Sequence, residues 1–414
     1  MLLKIALRNL LRHKRRTFFS AITIAVGMLF FIAMDSIMAG MDRGAIDNMV
    51  ALRTAAIRLQ TRQYAEEQDA LPLKYGIDNF ESIRSNLLKD KRIKGVTGRT
   101  RFIGQMSIYT DMKPIIGTVI EPATDSTVFS LRDYIEGAYF SEGNEREILL
   151  GKDLAEELGL NVGDYVTLYA MTRYDSHNAD DFKIIGVVAT TDPVINGSGV
   201  FISQAGGDSF LDLEGLRTDV MVGVHRKVNL RDFLKEIRAV QSTIHTAYPD
   251  LIAQNVLEQE AGFFEIAKSK RGFGMVFLAV ILLIAGVGIF NTVLMSVYER
   301  IREIGVLRAF GLRQGEMTRL FLIEGAVTGI FGVALGLALG TVVNVLLVKY
   351  GYPLDKLAGD AMGDFPIWGT IYGEWNFRVW LAVSFFAIVV ATIAGYIPAR
   401  KAGSMEIIST LRFF

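Results

Sequence analysis

Residues 298–325 read YERIREIGVLRAFGLRQGEMTRLFLIEG and lie between two long apolar runs. Ile301, Ile304, Leu307 and Phe310 recur every three residues, which makes one stripe of a helix. Glu299, Arg300, Arg302, Glu303 and Arg308 fall on its other faces. Gly311 is placed to end the helix, because glycine accepts the left-handed cap. Gly305 weakens the helix interior by roughly 1 kcal/mol relative to alanine, which points to a close backbone contact there. Two readings fit such a short amphipathic helix. It either seats its apolar ridge in a groove of another protein or lies flat on a membrane.

The flanking runs give the segment its setting. Crossing a bilayer takes roughly 20 apolar residues, and four stretches qualify, at about 17–39, 273–297, 319–348 and 379–397. Of the 414 residues, 51% are hydrophobic and 21% charged. The first value is too apolar for a simple soluble enzyme, and the second too polar for spans alone. A membrane protein with a sizeable water-exposed domain is expected.

Charge assigns the sides. Residues 40–272 hold 27 Lys+Arg against 34 Asp+Glu, and the remainder 17 against 10, so a formal net charge of zero hides −7 against +7. Basic residues crowd residues 1–16 (Lys4, Arg8, Arg12, Lys14, Arg15, Arg16), the 298–318 insert and the 398–414 tail. By the positive-inside rule these three segments are cytoplasmic, which puts 40–272 and the loop 349–378 outside. Trp368, Trp375 and Trp380 fall in or beside that loop, as an interfacial aromatic belt requires. A cleaved signal peptide is the rival reading of the N-terminus, but its apolar run exceeds the usual signal core. Residues 2–16 also pattern as a basic amphipathic helix for the headgroup layer, or equally as a plain anchor.

The 40–272 segment alternates element types. Helices are expected near 78–91, 152–158 and 230–246, and strands near 101–109, 114–120, 165–170 and 183–188, so the order implies an α+β domain. Thr191–Ser198 is dense in turn formers and is expected to be an exposed loop. Glu258–Arg271 reads as a helix running straight into span two. If span one likewise continues past Ala39, two rods link domain and membrane.

Span three carries Gly325, Gly329, Gly332, Gly336 and Gly340, a small-residue face for close helix contact with another span or another subunit. Glu324 sits in the same span, where pairing with Arg319 or Arg313 fits better than a proton relay. Asp35 reads as interfacial. Cysteine is absent, and His13, His177, His225 and His245 show no metal-ligand spacing. No phosphate-cradling G-x-x-x-x-G-K-[S/T], no H-E-x-x-H and no G-x-S-x-G occurs, so no covalent chemistry, metal or cofactor is expected of this chain.

Glu299, Arg300, Arg302, Glu303, Ile304, Gly305, Val306, Leu307, Arg308, Ala309 and Gly311, followed by Glu324 and Gly325, closely resemble the signature of MacB/FtsX-type ABC transporter permeases. Asn9–Thr17 resembles that family's entry to span one, Gly137–Leu168 its periplasmic domain, and Pro398–Ala402 its exit from span four. The resemblance implies four transmembrane helices with a MacB-like α+β periplasmic domain between helices 1 and 2, in the inner membrane, both termini cytoplasmic. It also implies two permease subunits, identical or homologous, with two copies of a cytoplasmic ATPase that holds the ATP and magnesium. The 299–311 helix would be the coupling helix on that ATPase.

Among subfamilies the lipoprotein-releasing LolC/LolE type is most similar, because this chain lacks a fused ATPase and has a large outer domain. That likeness implies a lipoprotein or lipid-like cargo passed to a periplasmic chaperone. Acyl chains would lie along Ile24, Met28, Phe31, Val280 and Leu283, and Asp192, Pro193, Val194, Ile195 and Asn196 would dock the chaperone. An efflux permease working with a periplasmic adaptor, and a signal transducer controlling a cell-wall hydrolase, are the competing expectations. No nucleic-acid partner is expected.

Overall fold

In a computed structural model, the described residues are 14–404 apart from 109–110, 142, 191, 228, 300 and 354–369, with Ala6, Arg8 and Arg12 ahead of them. Within them some side chains, most of them in the helix Ala261–Glu299, also lie outside the description. The expected helix 2–16, Trp368 and most of the tail therefore fall largely outside the described residues. The chain divides into two compact units. Met1–Asp42, Glu265–Tyr352 and Thr370–Phe414 form one, and Arg43–Phe264 is the body of the other.

The first unit is helical. Among the described residues three helices are long and apolar enough to cross a membrane: Thr17–Arg53, Gln314–Tyr350 and Phe377–Lys401. The expected span 273–297 falls inside the continuous helix Ala261–Glu299, whose side chains are only partly described, so the count stands at three where the sequence predicts four. The helix Lys14–Asn48 continues past Ala39, as a rod requires.

Glycine placement answers the question of what packs on the third predicted span. A Cβ on Gly332 would lie 2.7 Å from the Ile24 Cβ and one on Gly340 2.5 Å from the Ile32 Cδ1. One on Gly329 would lie 2.8 Å from the Ala391 Cβ. The small-residue face thus serves other helices of this same chain, with the absent side chains letting backbones approach.

The second unit is built on a mixed sheet. Its strands are β1 Ile57–Thr61, β2 Ile93–Ile108, β3 Asp111–Ile120, β4 Ile135–Gly137, β5 Glu147–Gly151, β6 Tyr165–Met171, β7 His177–Val188, β8 Gly199–Ser203, β9 Asp219–Val224 and β10 Leu251–Asn255. They run in the order β10-β1-β9-β2-β3-β8-β5-β7-β4, with β6 bridging β2 and β7. β3 pairs β8 and β5 pairs β7 in parallel, and the remaining pairs described are antiparallel, which makes the domain α+β as expected.

The strand sequences show why each lies where it does. DVMVGV in β9 is buried at every position, the mark of a central strand covered on both faces. YVTLYAM in β6 alternates, burying Val166, Leu168 and Ala170 and exposing Tyr165, Tyr169 and Met171. β2 is far longer than the predicted 101–109. Its first half pairs β9 and its second half pairs β3 over ten register positions. It therefore ties together two apolar cores. One lies under the helix Leu230–Ala247, which turns Phe233, Ile237, Val240 and Ile244 inward; the other packs around Phe102, Phe182 and Phe210.

Candidate functional site

The 298–325 segment folds as the end of the helix Ala261–Glu299, a helix Ile301–Ala309, a short turn, and the start of the helix Gln314–Tyr350. Gly311 has φ +97°, a left-handed conformation that favours glycine and reverses the chain. The next helix is pinned at its start, where the Arg313 N–H donates to Glu316 Oε2 at 2.9 Å.

The apolar stripe does not face outward as a ridge. Ile301 is buried, and Ile304, 2% exposed, joins a core with Val293, Val297, Met317, Leu320 and Phe321. Gly305 is buried as well. At the other end of the expected stripe Phe310 is 84% exposed. The cause is geometric: a three-residue repeat drifts around a helix of 3.6 residues per turn, so its fourth member leaves the buried face. The surface presented outward is Arg302, Glu303, Val306 and Phe310. Arg300 and the side chains of Leu307 and Arg308 lie outside the described residues, and Glu299 is exposed. Arg12 Nη1 donates to Glu303 Oε1 at 3.4 Å, and Lys401 Nζ donates to the Tyr298 hydroxyl at 2.9 Å. Basic residues from both ends of the chain thus meet this segment, a proximity that no local motif announces.

Glu324 is 7% exposed in the apolar helix Gln314–Tyr350, and its backbone carbonyl accepts from Thr328 Oγ1 at 2.8 Å. Arg313 and Arg319, its expected partners, are exposed. Asp35 accepts from Asn376 Nδ2 at 3.4 Å, beside the aromatic cluster of Trp375, Phe377 and Trp380.

The expected acyl-chain wall is corrected in part. Ile24 and Met28 are buried against Gly332 and Gly336, so they form a helix–helix seam and offer no open surface. Phe31 is half-buried. Val280 and Leu283 are exposed, and the open apolar side chains of the first helix are instead Phe18, Phe19, Val26, Phe30 and Met34. The sequence pattern could not separate these faces, because that helix is apolar all round.

The segment expected to be a docking loop is a short helix, Pro193–Ser198. Asp192 caps it, accepting the Val194 N–H at 2.9 Å, and Pro193 at its first position is preorganised for helix. Asn196 folds back, donating to the Thr190 carbonyl at 2.9 Å and accepting from the Thr190 N–H at 2.8 Å. Asp192 and Ile195 are buried, which leaves Val194, Gly197 and Ser198 as the exposed positions. The turn formers were therefore a helix start with its cap.

No group of three or more His, Cys, Asp or Glu able to hold a metal occurs among the described residues.

Comparisons with known proteins cover nearly the whole chain. Residues 17–240 match the family described as MacB-like periplasmic core domain, and residues 275–407 match FtsX-like permease C-terminal. The chain is 24% identical to the ABC transporter permease YtrF of Bacillus subtilis, over 98% of this chain and 97% of that one. It is 20% identical to the lipoprotein-releasing system transmembrane protein LolE of Haemophilus influenzae, over 94% and 92%. The macrolide export ATP-binding/permease protein MacB of Nitrosomonas europaea is 23% identical over 95% of this chain but 56% of its own length. Among solved structures, the periplasmic region of MacB from Actinobacillus actinomycetemcomitans aligns with a TM-score of 0.34 at 14% identity, covering 51% of this chain and 93% of that one.

Proposed function

The chain belongs to the MacB/FtsX-type family of ABC transporter permeases, and from that premise we propose that its 301–309 helix receives the stroke of a separate cytoplasmic ATPase. The observation that carries this reading is the division of labour on the helix. Ile304 anchors it into the packed core of its own helical unit and Ile301 is buried, while Arg302, Glu303, Val306 and Phe310 are exposed. A push on the exposed face is then transmitted to the long helices, because a close-packed interior moves as a body. ATP and magnesium belong to the partner ATPase, two copies of which serve two permease subunits in the inner membrane with termini in the cytoplasm.

The long helices Lys14–Asn48 and Ala261–Glu299 are suited to carry that motion. We take the cargo to be a lipoprotein or similar lipid-bearing molecule, passed to a chaperone outside the membrane. The relative named as a lipoprotein-releasing system transmembrane protein supports this, as do the exposed apolar side chains Phe30, Val280 and Leu283.

Co-purification from native membranes tests the reading. The intact chain retains an ABC ATPase, and Glu303→Lys, which reverses the charge on the exposed face, releases it while the permease still inserts. A Glu303→Lys chain that retains the ATPase as the unaltered chain does removes the helix from this role.

A further inference from the structure

A cleft of about 320 Å³ opens in the outer domain. One wall is the face of β1, β2 and β3, and the short helix Pro193–Ser198 forms another. Four arginines line it, drawn from positions 53, 58, 99 and 101, and they are not equally satisfied. Arg99 holds Asp125 through two bonds of 2.8 and 3.0 Å. Arg53 donates to Glu260 at 2.6 Å and lies 3.8 Å from Asp192.

The other two differ. Arg58 is 7% exposed, and its Nη2 reaches Gln254 at 2.7 Å and Gln68 at 3.3 Å. Its Nε lies 3.8 Å from Asp219 but has no hydrogen-bond acceptor among the described residues. Asp219 is already engaged, accepting from Gln60 Nε2 at 2.5 Å and from Thr218 Oγ1 at 2.8 Å. Arg101 offers a buried Nε and Nη2, again with no acceptor among the described residues, and no carboxylate pairs with it there.

Two guanidinium groups with idle donors in one cleft are costly, since a buried donor left unmade forfeits its solvation. Burial lowers the pKa of Arg58; Asp219 opposes that shift and the charge of Arg101 adds to it. An incoming negative group relieves both problems at once.

We propose that this cleft is an oxyanion-binding site, in which a carboxylate or phosphate accepts the free N–H groups of Arg58 and Arg101. Ile116, Val194 and Met221, which also line the cleft, receive any apolar stem that carries the anion. The ligand is thus a free oxyanion or the acidic head of an amphiphile. The site stands independently of the coupling role argued above. It also touches both connectors, because Arg53 ends the π-helical segment Met49–Arg53 that continues the first long helix, and Glu260 precedes the second.

The test is a titration of the full chain, held in a neutral detergent, with inorganic phosphate and separately with dodecyl phosphate. Saturable binding of at least one is expected. Arg101→Gln, which removes the cation without disturbing a described ion pair, weakens it about tenfold or more, as loss of a charge-assisted hydrogen bond does. Val194→Glu, placing a carboxylate at an exposed lining position, weakens it comparably without touching the arginines. Equal binding of the two probes identifies a free oxyanion as sufficient, and binding of dodecyl phosphate alone identifies an amphiphile. Absence of saturable binding by either probe, or wild-type affinity in both variants, overturns the proposal.

Discussion

Gly336 lies so close to Met28 that a Cβ built on it would stand 2.5 Å from the Met28 Cβ and 3.0 Å from the Ala25 Cα. Real side chains do not tolerate such an approach, so the two helices meet there only because position 336 has none. Gly336→Leu is expected to destabilise the helical unit by about 1–3 kcal/mol or more through overpacking. Gly315→Ala, whose added carbon would meet open space near the start of the same helix, should lose nothing and gain roughly 0.5–1 kcal/mol. Thermal unfolding in detergent compares the two. Equal midpoints for Gly336→Leu and the unaltered chain would show that the seam is not as tight as described.

Ile304 and Phe310 occupy one predicted stripe but opposite environments, and their truncations should separate accordingly. Ile304→Ala is expected to cost about 2–5 kcal/mol of stability, the range for emptying a packed core position. Phe310→Ala should stay within about 0.5 kcal/mol, as exposed positions do, yet lower retention of the ATPase partner. Unfolding midpoints and pull-down yields read these separately. A stability loss for Phe310→Ala matching that of Ile304→Ala would contradict the exposure on which the coupling role rests.

Periodicity carried part of the architecture in advance. The amphipathic run 230–246 and the alternation in 165–170 sit on single buried faces, so local pattern suffices to place them. The reach of β2 back to Ile93 was not legible, because Lys94, Gly95, Thr97 and Gly98 dilute its apolar signal and its pairing with β9 spans more than a hundred residues of sequence. The same holds for the cleft arginines: Arg53, Arg58 and Arg101 come from separate elements, and only the sheet brings them together. The helix at 193–198 was hidden by its own cap, since Asp-Pro opens a turn and a helix alike.

Arg99 and Asp125 form a buried pair, and the Arg99 guanidinium stacks 3.3 Å from the centre of the Phe129 ring. Both partners are almost wholly inaccessible, so removing one strands the other's charge or donors. Asp125→Asn is expected to cost about 3–5 kcal/mol, whereas the paired replacement Arg99→Met with Asp125→Leu costs distinctly less. Urea unfolding of the full chain, followed by circular dichroism, measures both. If the double replacement is as damaging as the single one, the pair's contribution lies in packing and not in its charge.

Tyr139 supplies a pH dependence with a defined sign. Burial pushes its hydroxyl up from 10.0 to about 12, with the nearby Asp125 charge adding to the effect and Arg99 and Arg132 opposing it. Its hydroxyl donates to the Pro122 carbonyl at 3.4 Å. The folded state therefore favours the neutral phenol, and a raised pKa contributes stability that is fully present below the unfolded value. That contribution is lost as pH rises from about 10 through about 12. Other tyrosines titrate in the same range, so the informative quantity is a difference. Tyr139→Phe should unfold with a shallower alkaline limb between pH 10 and 12 than the unaltered chain, and with the same dependence near neutrality. Stability curves that run parallel across that window would mean that the Tyr139 phenol ionises as freely in the folded domain as in the unfolded chain.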